Sequence, residues 1–221
     1  MKTTAHIVFA FFILLNGMPQ LSNAQTSNLT FGLRVGIGKA FLTDNMTMLG
    51  VSQSNWLSFN GGGFVDISLS KTWSIQPELL YTFEFYKQAT NYQWVNKDGS
   101  PGEKFTINSK IGISSLRAPL FMKLKIGESK AGQIGFLGGP SFSYILFGKN
   151  YSTGPEPFNN VSDFTENVNH FQMGVSVGVD YRILDNLLID VRYNHNFTNH
   201  FDYSTYHASF SNILVGVGYW L

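Results

Sequence analysis

His170-Phe-Gln-Met-Gly-Val-Ser-Val-Gly-Val-Asp-Tyr-Arg-Ile183 alternates without a break. Phe171, Met173, Val175, Val177, Val179, Tyr181 and Ile183 are apolar or aromatic, and the residues between them are polar or Gly. A period of two belongs to a β-strand, whose successive side chains leave on opposite faces. Strands of soluble proteins run about 5–6 residues, whereas a tilted strand crossing a bilayer needs about 9–11 in the membrane. Fourteen residues in one register suit the second case, with one face toward lipid and the other toward a crowded interior.

The pattern recurs on both sides of this stretch. Downstream, Leu187 to Phe197 places Leu187, Ile189, Val191 and Tyr193 outward and Asp190, Arg192 and Asn194 inward. The last nine residues, Ile213 to Leu221, set Ile213, Val215, Val217, Tyr219 and Leu221 against Leu214, Gly216, Gly218 and Trp220. An apolar last residue with an aromatic two before it resembles the assembly signal of bacterial outer-membrane barrels, with Leu221 in place of the usual terminal Phe. Upstream, strands are expected at 29–38, 57–69, 73–86, 107–126 and 133–147, which makes eight. In the fourth, Leu116, Ala118, Leu120, Met122 and Leu124 point outward, while Ile111 and Ile113 have the opposite parity. That break predicts a bulge between Ile113 and Leu116.

The connections alternate in length. Ser70-Lys-Thr72, Gly127 to Ala131 and Leu184-Asp-Asn186 are tight. Lys39 to Trp56, Lys87 to Thr106, Gly148 to Asn167 and Thr198 to Ala208 are long and rich in Asn, Ser, Thr, Gly and Pro. The chain is therefore expected to be all-β: an eight-stranded antiparallel up-and-down transmembrane β-barrel with short periplasmic turns and long extracellular loops. Aromatic belts are expected at Trp73, Tyr181 and Tyr219 on the periplasmic side and at Phe85, Phe147, Phe171 and Phe197 on the outer side.

The amino terminus reads as a secretory signal over residues 1–24. Lys2 and His6 precede the apolar run Ile7 to Leu15, and Ser22-Asn-Ala24 is a small-residue cleavage site. Residues 25–221 are then one barrel domain, exported to the bacterial outer membrane. The signal removes Lys2 from 15 bases, leaving 14 against 14 acids. A neutral mature chain gives no electrostatic footprint for nucleic acid. With no Cys, neither disulfides nor a lipoprotein anchor is available. Ring closure and lipid must supply the stability instead.

Four phrases on these strands, Gln76-Pro-Glu-Leu-Leu-Tyr81, Leu116-Arg-Ala-Pro-Leu-Phe-Met-Lys123, Gly138-Gly-Pro140 and Val191-Arg-Tyr193, resemble the PorT-like outer-membrane β-barrel domain family. The resemblance covers nearly the whole mature chain. It implies an eight-stranded outer-membrane barrel and, for a minority of members, assistance to a secretion system. It carries over no functional residues.

The inward parity gathers Asp66, Glu78, Glu84, Asp180 and Asp190 against Arg34, Arg117, Lys123, Lys125, Arg182 and Arg192. An eight-stranded barrel is just wide enough to be filled by side chains, and isolated buried charges are costly. These residues are expected to form a polar plug of ion pairs, the alternative being a narrow small-solute channel. Glu78 and Glu84, six residues apart on one strand, stand about 20 Å apart and cannot act on one bond. His207-Ala-Ser209 is similar to a phrase of lipid A deacylases, but Phe210 replaces the Asn and no acid follows Asp202. An envelope lipid-modifying enzyme is thus the least favoured reading. Gly36-Ile-Gly-Lys39 lacks the flanking residues of a phosphate loop. The four His residues after the signal show no ligand spacing.

No catalytic residue, cofactor or metal is expected. Outer-membrane lipid is the expected surrounding partner. Other envelope proteins are expected to meet the extracellular loops, where Tyr92, Trp94, Phe158, Phe164, Phe201, Tyr203 and Tyr206 gather. The expected function is non-enzymatic: a structural, adhesive or assembly and secretion-partner role.

Overall fold

The computed structural model describes residues 29–44, 51–54, 56–127, 132–163, 168–198 and 208–221. The expected signal segment and Phe164, His200, Phe201, Tyr203, Tyr206 and His207 lie outside the described residues.

Among the described residues there are ten strands: β1 (Leu29–Asp44), β2 (Val51–Ser54), β3 (Trp56–Ser68), β4 (Trp73–Val95), β5 (Pro101–Ile126), β6 (Ile134–Thr153), β7 (Asn160–Asp163), β8 (Phe171–Arg182), β9 (Leu187–Asn196) and β10 (Ala208–Trp220). Eight of them close a ring, in the order β1-β3-β4-β5-β6-β8-β9-β10 and back to β1, every pair antiparallel. The seam between β10 and β1 runs from Gly32↔Trp220 to Asp44↔Ala208. Closure removes the unpaired edges that an apolar solvent would not tolerate.

The expected fold is the observed one, and the alternation decides the faces. On β8, Val177 and Val179 are exposed outward while Gln172, Ser176 and Asp180 are buried inside. On β10, Ile213, Val215, Val217 and Tyr219 face out, whereas Leu214 and Trp220 face in. At the expected membrane interfaces, Trp73, Tyr181 and Tyr219 are exposed outward toward the short-turn end and Phe147, Phe171 and Phe197 toward the other.

Two features differ from the sequence expectation, and the strand prolines need a local accommodation. The first is the bulge. The β5–β6 register does slip at Ser114/Ser115, but the pairs Ser114↔Phe147 and Ser115↔Ile145 leave Leu146 of β6 as the extra residue. Parity on β5 does not reverse: Ile113 is buried inside, 1% exposed, and Leu116 remains outward. The parity break was an apolar pair placed inside, beyond the polar zone.

The second is the segment 87–106, expected as a loop. It is the continuation of β4 and β5, paired from Lys87↔Lys110 to Val95↔Pro101. β4 runs 23 residues against 10 for β9. The portion beyond Tyr86 adds about 30 Å of strand. β6 continues past the expected boundary to Thr153, and β2 and β7 pair with the outer parts of β4 and β6. Outside the membrane both faces of a sheet are wet, so the alternation that marked the spanning strands disappears while the pairing persists.

The expected strands also hold prolines. Pro77, Pro119 and Pro140 lie within β4, β5 and β6. The ladders skip the pairs Val65/Pro77, Glu78/Pro119 and Leu120/Pro140 and resume in unchanged register. A residue without an N–H is thus accommodated by a short gap in each ladder.

Candidate functional site: the lumen and its outer extension

The lumen is filled in layers. Toward the short-turn, periplasmic end, Phe64, Leu188 and Trp220 pack together, with the Phe64 and Trp220 rings edge to face at 4.6 Å. The indole is capped from one side by the Arg182 guanidinium at 4.9 Å and approached by Lys123 Nζ at 5.5 Å. Cations over an indole face are attracted by its quadrupole.

A continuous charged network fills the middle. Lys125 Nζ donates to Asp66 Oδ1 at 2.9 Å and to Ser68 Oγ at 3.0 Å, and Ser74 donates to Asp66 Oδ2 at 3.2 Å. Lys123 Nζ lies 2.6 Å from Asp180 Oδ2, 3.9 Å from Asp66 Oδ2 and 3.4 Å from Gln76 Oε1. Gln76 donates to Glu78 Oε1 at 2.6 Å, and Arg192 Nη1 to Glu78 Oε2 at 2.5 Å. Arg192 Nε is 3.1 Å from Asp190. Asp190 in turn accepts both prongs of Arg34, Nε at 2.9 Å and Nη2, and Arg34 Nη1 donates to Asn60 at 3.0 Å.

Glycines make room for this fork. A Cβ on Gly216 would stand 2.6 Å from Arg34 Nη2, and one on Gly36 would stand 2.6 Å from Asn60 Oδ1. Inward-facing glycines on β1 and β10 thus leave the cross-section to the long side chains of their neighbours.

Above this, Glu84 accepts from Asn212 Nδ2 and, at 3.5 Å, from Arg117 Nη2. Asn194 donates to Asn212 at 2.5 Å, and Ser176 to Asn194 at 2.5 Å. The outer end of the lumen is apolar. Ala40, Tyr86, Ile113, Ile145, Val168 and Phe210 form a buried cluster, and the Tyr86 and Phe210 rings lie 4.6 Å apart.

All of the expected lumen residues face inward. The structure brings Arg34, Asp66, Glu78, Lys123, Lys125, Asp180, Asp190 and Arg192 into one network and Glu84 with Arg117 into a second, each ion-paired side chain at least nine-tenths buried. Arg182 stands apart at the mouth, half-buried over Trp220. Glu78 and Glu84 have separate partners. Sequence reasoning placed Asn194 inward but assigned neither it nor the other neutral members, Gln76, Asn60, Asn212 and Ser176, to the network, although all sit at inward parity. Charge was the criterion, and an amide that links two ions escapes it. It also missed the apolar outer cluster, whose residues are distinguished by parity alone. Among the described residues, no group of three or more His, Asp or Glu is placed to hold a metal ion.

The outer extension carries the other concentration of unusual chemistry. Phe105 stacks on Tyr92 at 5.6 Å, on Trp94 at 4.8 Å and on Phe158 at 5.4 Å, while Tyr92 and Trp94 remain exposed. At the hairpin tip, the hydroxyl and backbone N–H of Ser100 donate to Asp98, and these bonds hold its carboxyl below the ordinary range.

A family profile described as "Outer membrane protein beta-barrel domain" matches residues 23–202. The chain belongs to this family. Membership places it in the bacterial outer membrane, in agreement with a ring that is apolar outside and charged inside. Among solved structures, Ail, the attachment invasion locus protein of Yersinia pestis, is 12% identical, with 87% of this chain and 99% of that one covered and a TM-score of 0.43. Neisserial surface protein A is 12% identical over 86% of this chain and 96% of its own, with a TM-score of 0.46. OprG of Pseudomonas aeruginosa is 11% identical over 87% and 94%, with a TM-score of 0.39. A search of curated proteins returns no match.

Proposed function

We propose that this family member is a non-enzymatic outer-membrane protein of the PorT-like group, exported with a cleaved signal over residues 1–24. Its lumen is a structural plug, and it works through its outer surface in a structural, adhesive or assembly and secretion-partner role. The observation that carries this reading is the order of the layers: buried ion pairs in the middle and an apolar cluster at the outer end. A conducting path needs polar lining along its whole length, and Ile113, Ile145 and Phe210 interrupt it.

The polar residues Arg34, Asp66, Glu78, Glu84, Arg117, Lys123, Asp180, Asp190 and Arg192 then hold the strands in register by cross-lumen pairing. Arg34 on β1, for example, reaches Asp190 on β9 across β10. What faces the cell exterior is a sheet extension bearing exposed Tyr92 and Trp94, side chains enriched in protein contact surfaces.

Planar-bilayer recording and in-cell crosslinking test the two halves of the proposal. The pure protein is expected to give no reproducible single-channel steps. A photo-crosslinker at Tyr92 or Trp94 is expected to capture envelope proteins, and one at lipid-facing Val215 is not. Steady unitary conductance would replace the plug with the narrow small-solute channel.

A further inference from the structure

The lining of the periplasmic mouth holds three bases, Lys71, Lys125 and Arg182, against one acid, Asp66. Five inward acids are each within ion-pair distance of a base. The sixth base, Arg182, has no such acid among the described residues, and its guanidinium lies over the Trp220 ring, 4.9 Å from its centroid, at the wall of an open cavity of about 230 Å³. That cavity is also lined by Lys71, Lys125, Ser70 and Asp66.

Its single lining acid is already engaged. Asp66 takes Lys125 and Ser68 on Oδ1 and Ser74 on Oδ2, with Lys123 close by. The donors are not saturated. An ammonium has three protons and a guanidinium five, and Lys125 uses two of its three. Lys71 is exposed on the β3–β4 turn, and Ser70 accepts two backbone N–H groups while its own proton is left to donate. Trp220, which floors Arg182, has a buried indole N–H without an acceptor. Once Lys125 is set against Asp66, the lining keeps two further cations, Lys71 and Arg182, and the carboxylates of Asp180 and Asp185 act on Arg182 only from beyond ion-pair distance.

We propose that this mouth is a receptor site for an oxyanion, a carboxylate or phosphate group, gripped by the Arg182 fork and by Lys71. A planar guanidinium matches two oxygens of such a group, and pinning on an aromatic face pre-orients it. An open cavity of about 230 Å³ suits a single small anionic group rather than a folded segment. The site opens on the side of the short turns, so the ligand is a small free anion or the carboxylate end of a periplasmic peptide.

The test is an NMR titration of the full mature chain, ¹⁵N-labelled in detergent micelles. The Trp220 indole signal, assigned by its loss in W220F, reports on the site. Acetate, inorganic phosphate, N-acetylglycylalanine and its carboxamide are the probes. Saturable movement of the Trp220 signal is expected with at least one of the three anions and not with the carboxamide. Arg182→Gln is expected to weaken it about tenfold, near 1.4 kcal/mol. Lys71→Gln, on an exposed turn that tolerates the change, is expected to weaken it severalfold, and Lys104→Gln on the outer hairpin has no effect. Tighter binding of the peptide acid than of acetate assigns the site to a chain end; equal or tighter binding of acetate or phosphate assigns it to a free anion. Movement that does not saturate, or that is unchanged in both R182Q and K71Q, overturns the proposal. Neither result bears on whether the lumen conducts, which the bilayer recording decides.

Discussion

Asp190 is the pivot of the lumen, and its removal is the sharpest test of how this barrel is held. Its carboxylate receives both prongs of Arg34 and lies 3.1 Å from Arg192 Nε, with all side-chain atoms of Arg34 and Asp190 shielded from solvent. In Asp190→Asn the Arg192 charge keeps Glu78, but Arg34 keeps only the neutral amide of Asn60. One positive charge is stranded where water does not reach. Breaking a buried pair from one side costs about 3–5 kcal/mol, a large share of a total stability of about 5–15. Pairing Asp190→Asn with Arg34→Met removes both charges at nearly constant volume and is expected to return to within about 2 kcal/mol of the parent, since neutral replacements of buried pairs are often tolerated. Urea unfolding in lipid vesicles, followed by tryptophan fluorescence and by heat-dependent mobility on gels, measures all four proteins of the cycle. A single-mutant loss below about 1 kcal/mol, the value of a surface pair, or a double mutant as weak as the summed singles, would refute the argument.

Three further outcomes follow from particular contacts. Val177→Arg, on an exposed outward position midway along β8, is expected to cost about 2–4 kcal/mol in vesicle unfolding, as a charge near the bilayer midplane does; a neutral result would place this row out of lipid. Gly38→Ala puts a Cβ 1.8 Å from the Ile213 carbonyl oxygen across the closing seam, so the yield of heat-modifiable folded barrel is expected to collapse, whereas Gly61→Ala, with nothing nearer than 3.6 Å, folds normally. Phe210→Ala hollows the apolar outer cluster beside Tyr86 and is expected to cost about 3–5 kcal/mol, measured by the same unfolding assay.

How much of this was legible in the sequence depends on which solvent each strand meets. Within the membrane, lipid on one side and packed ions on the other force strict alternation, so Phe171 to Ile183 declared its faces residue by residue. Arg34, Asp66 and Asp190 were assigned inward by the same parity. Above the membrane that pressure disappears. Lys87 to Val95 pairs strand to strand with water on both faces, and its polar composition resembled a loop. Ile113 gave a different kind of ambiguity: an apolar residue at inward parity has the same appearance as a bulge in β5. Only the partner strand resolves it, because the extra residue is Leu146, about thirty positions later in a segment where the alternation itself shifts. Long-range partners were illegible for the same reason. Nothing local to Arg34 names Asp190, which lies 156 residues away.

The layering of the lumen bears on why the role is sought outside it. A soluble domain hides its apolar side chains from water, and association of that core is its main driving force. Here the apolar side chains face lipid, and cohesion comes from hydrogen-bonded ladders and charges matched across a space too dry to solvate them singly. Such an interior has little freedom to change function by substitution. A new ligand group in the middle must displace an ion pair whose partner would then be stranded, at a cost comparable with a third of the whole stability. The outer extension and the periplasmic mouth are under no such constraint. Tyr92 and Trp94 are exposed, and Arg182 and Lys71 have no carboxylate within ion-pair distance among the described residues. Selection for binding can therefore act at the two ends of the barrel while the charged middle stays fixed, and that asymmetry favours surface recognition over passage through the lumen.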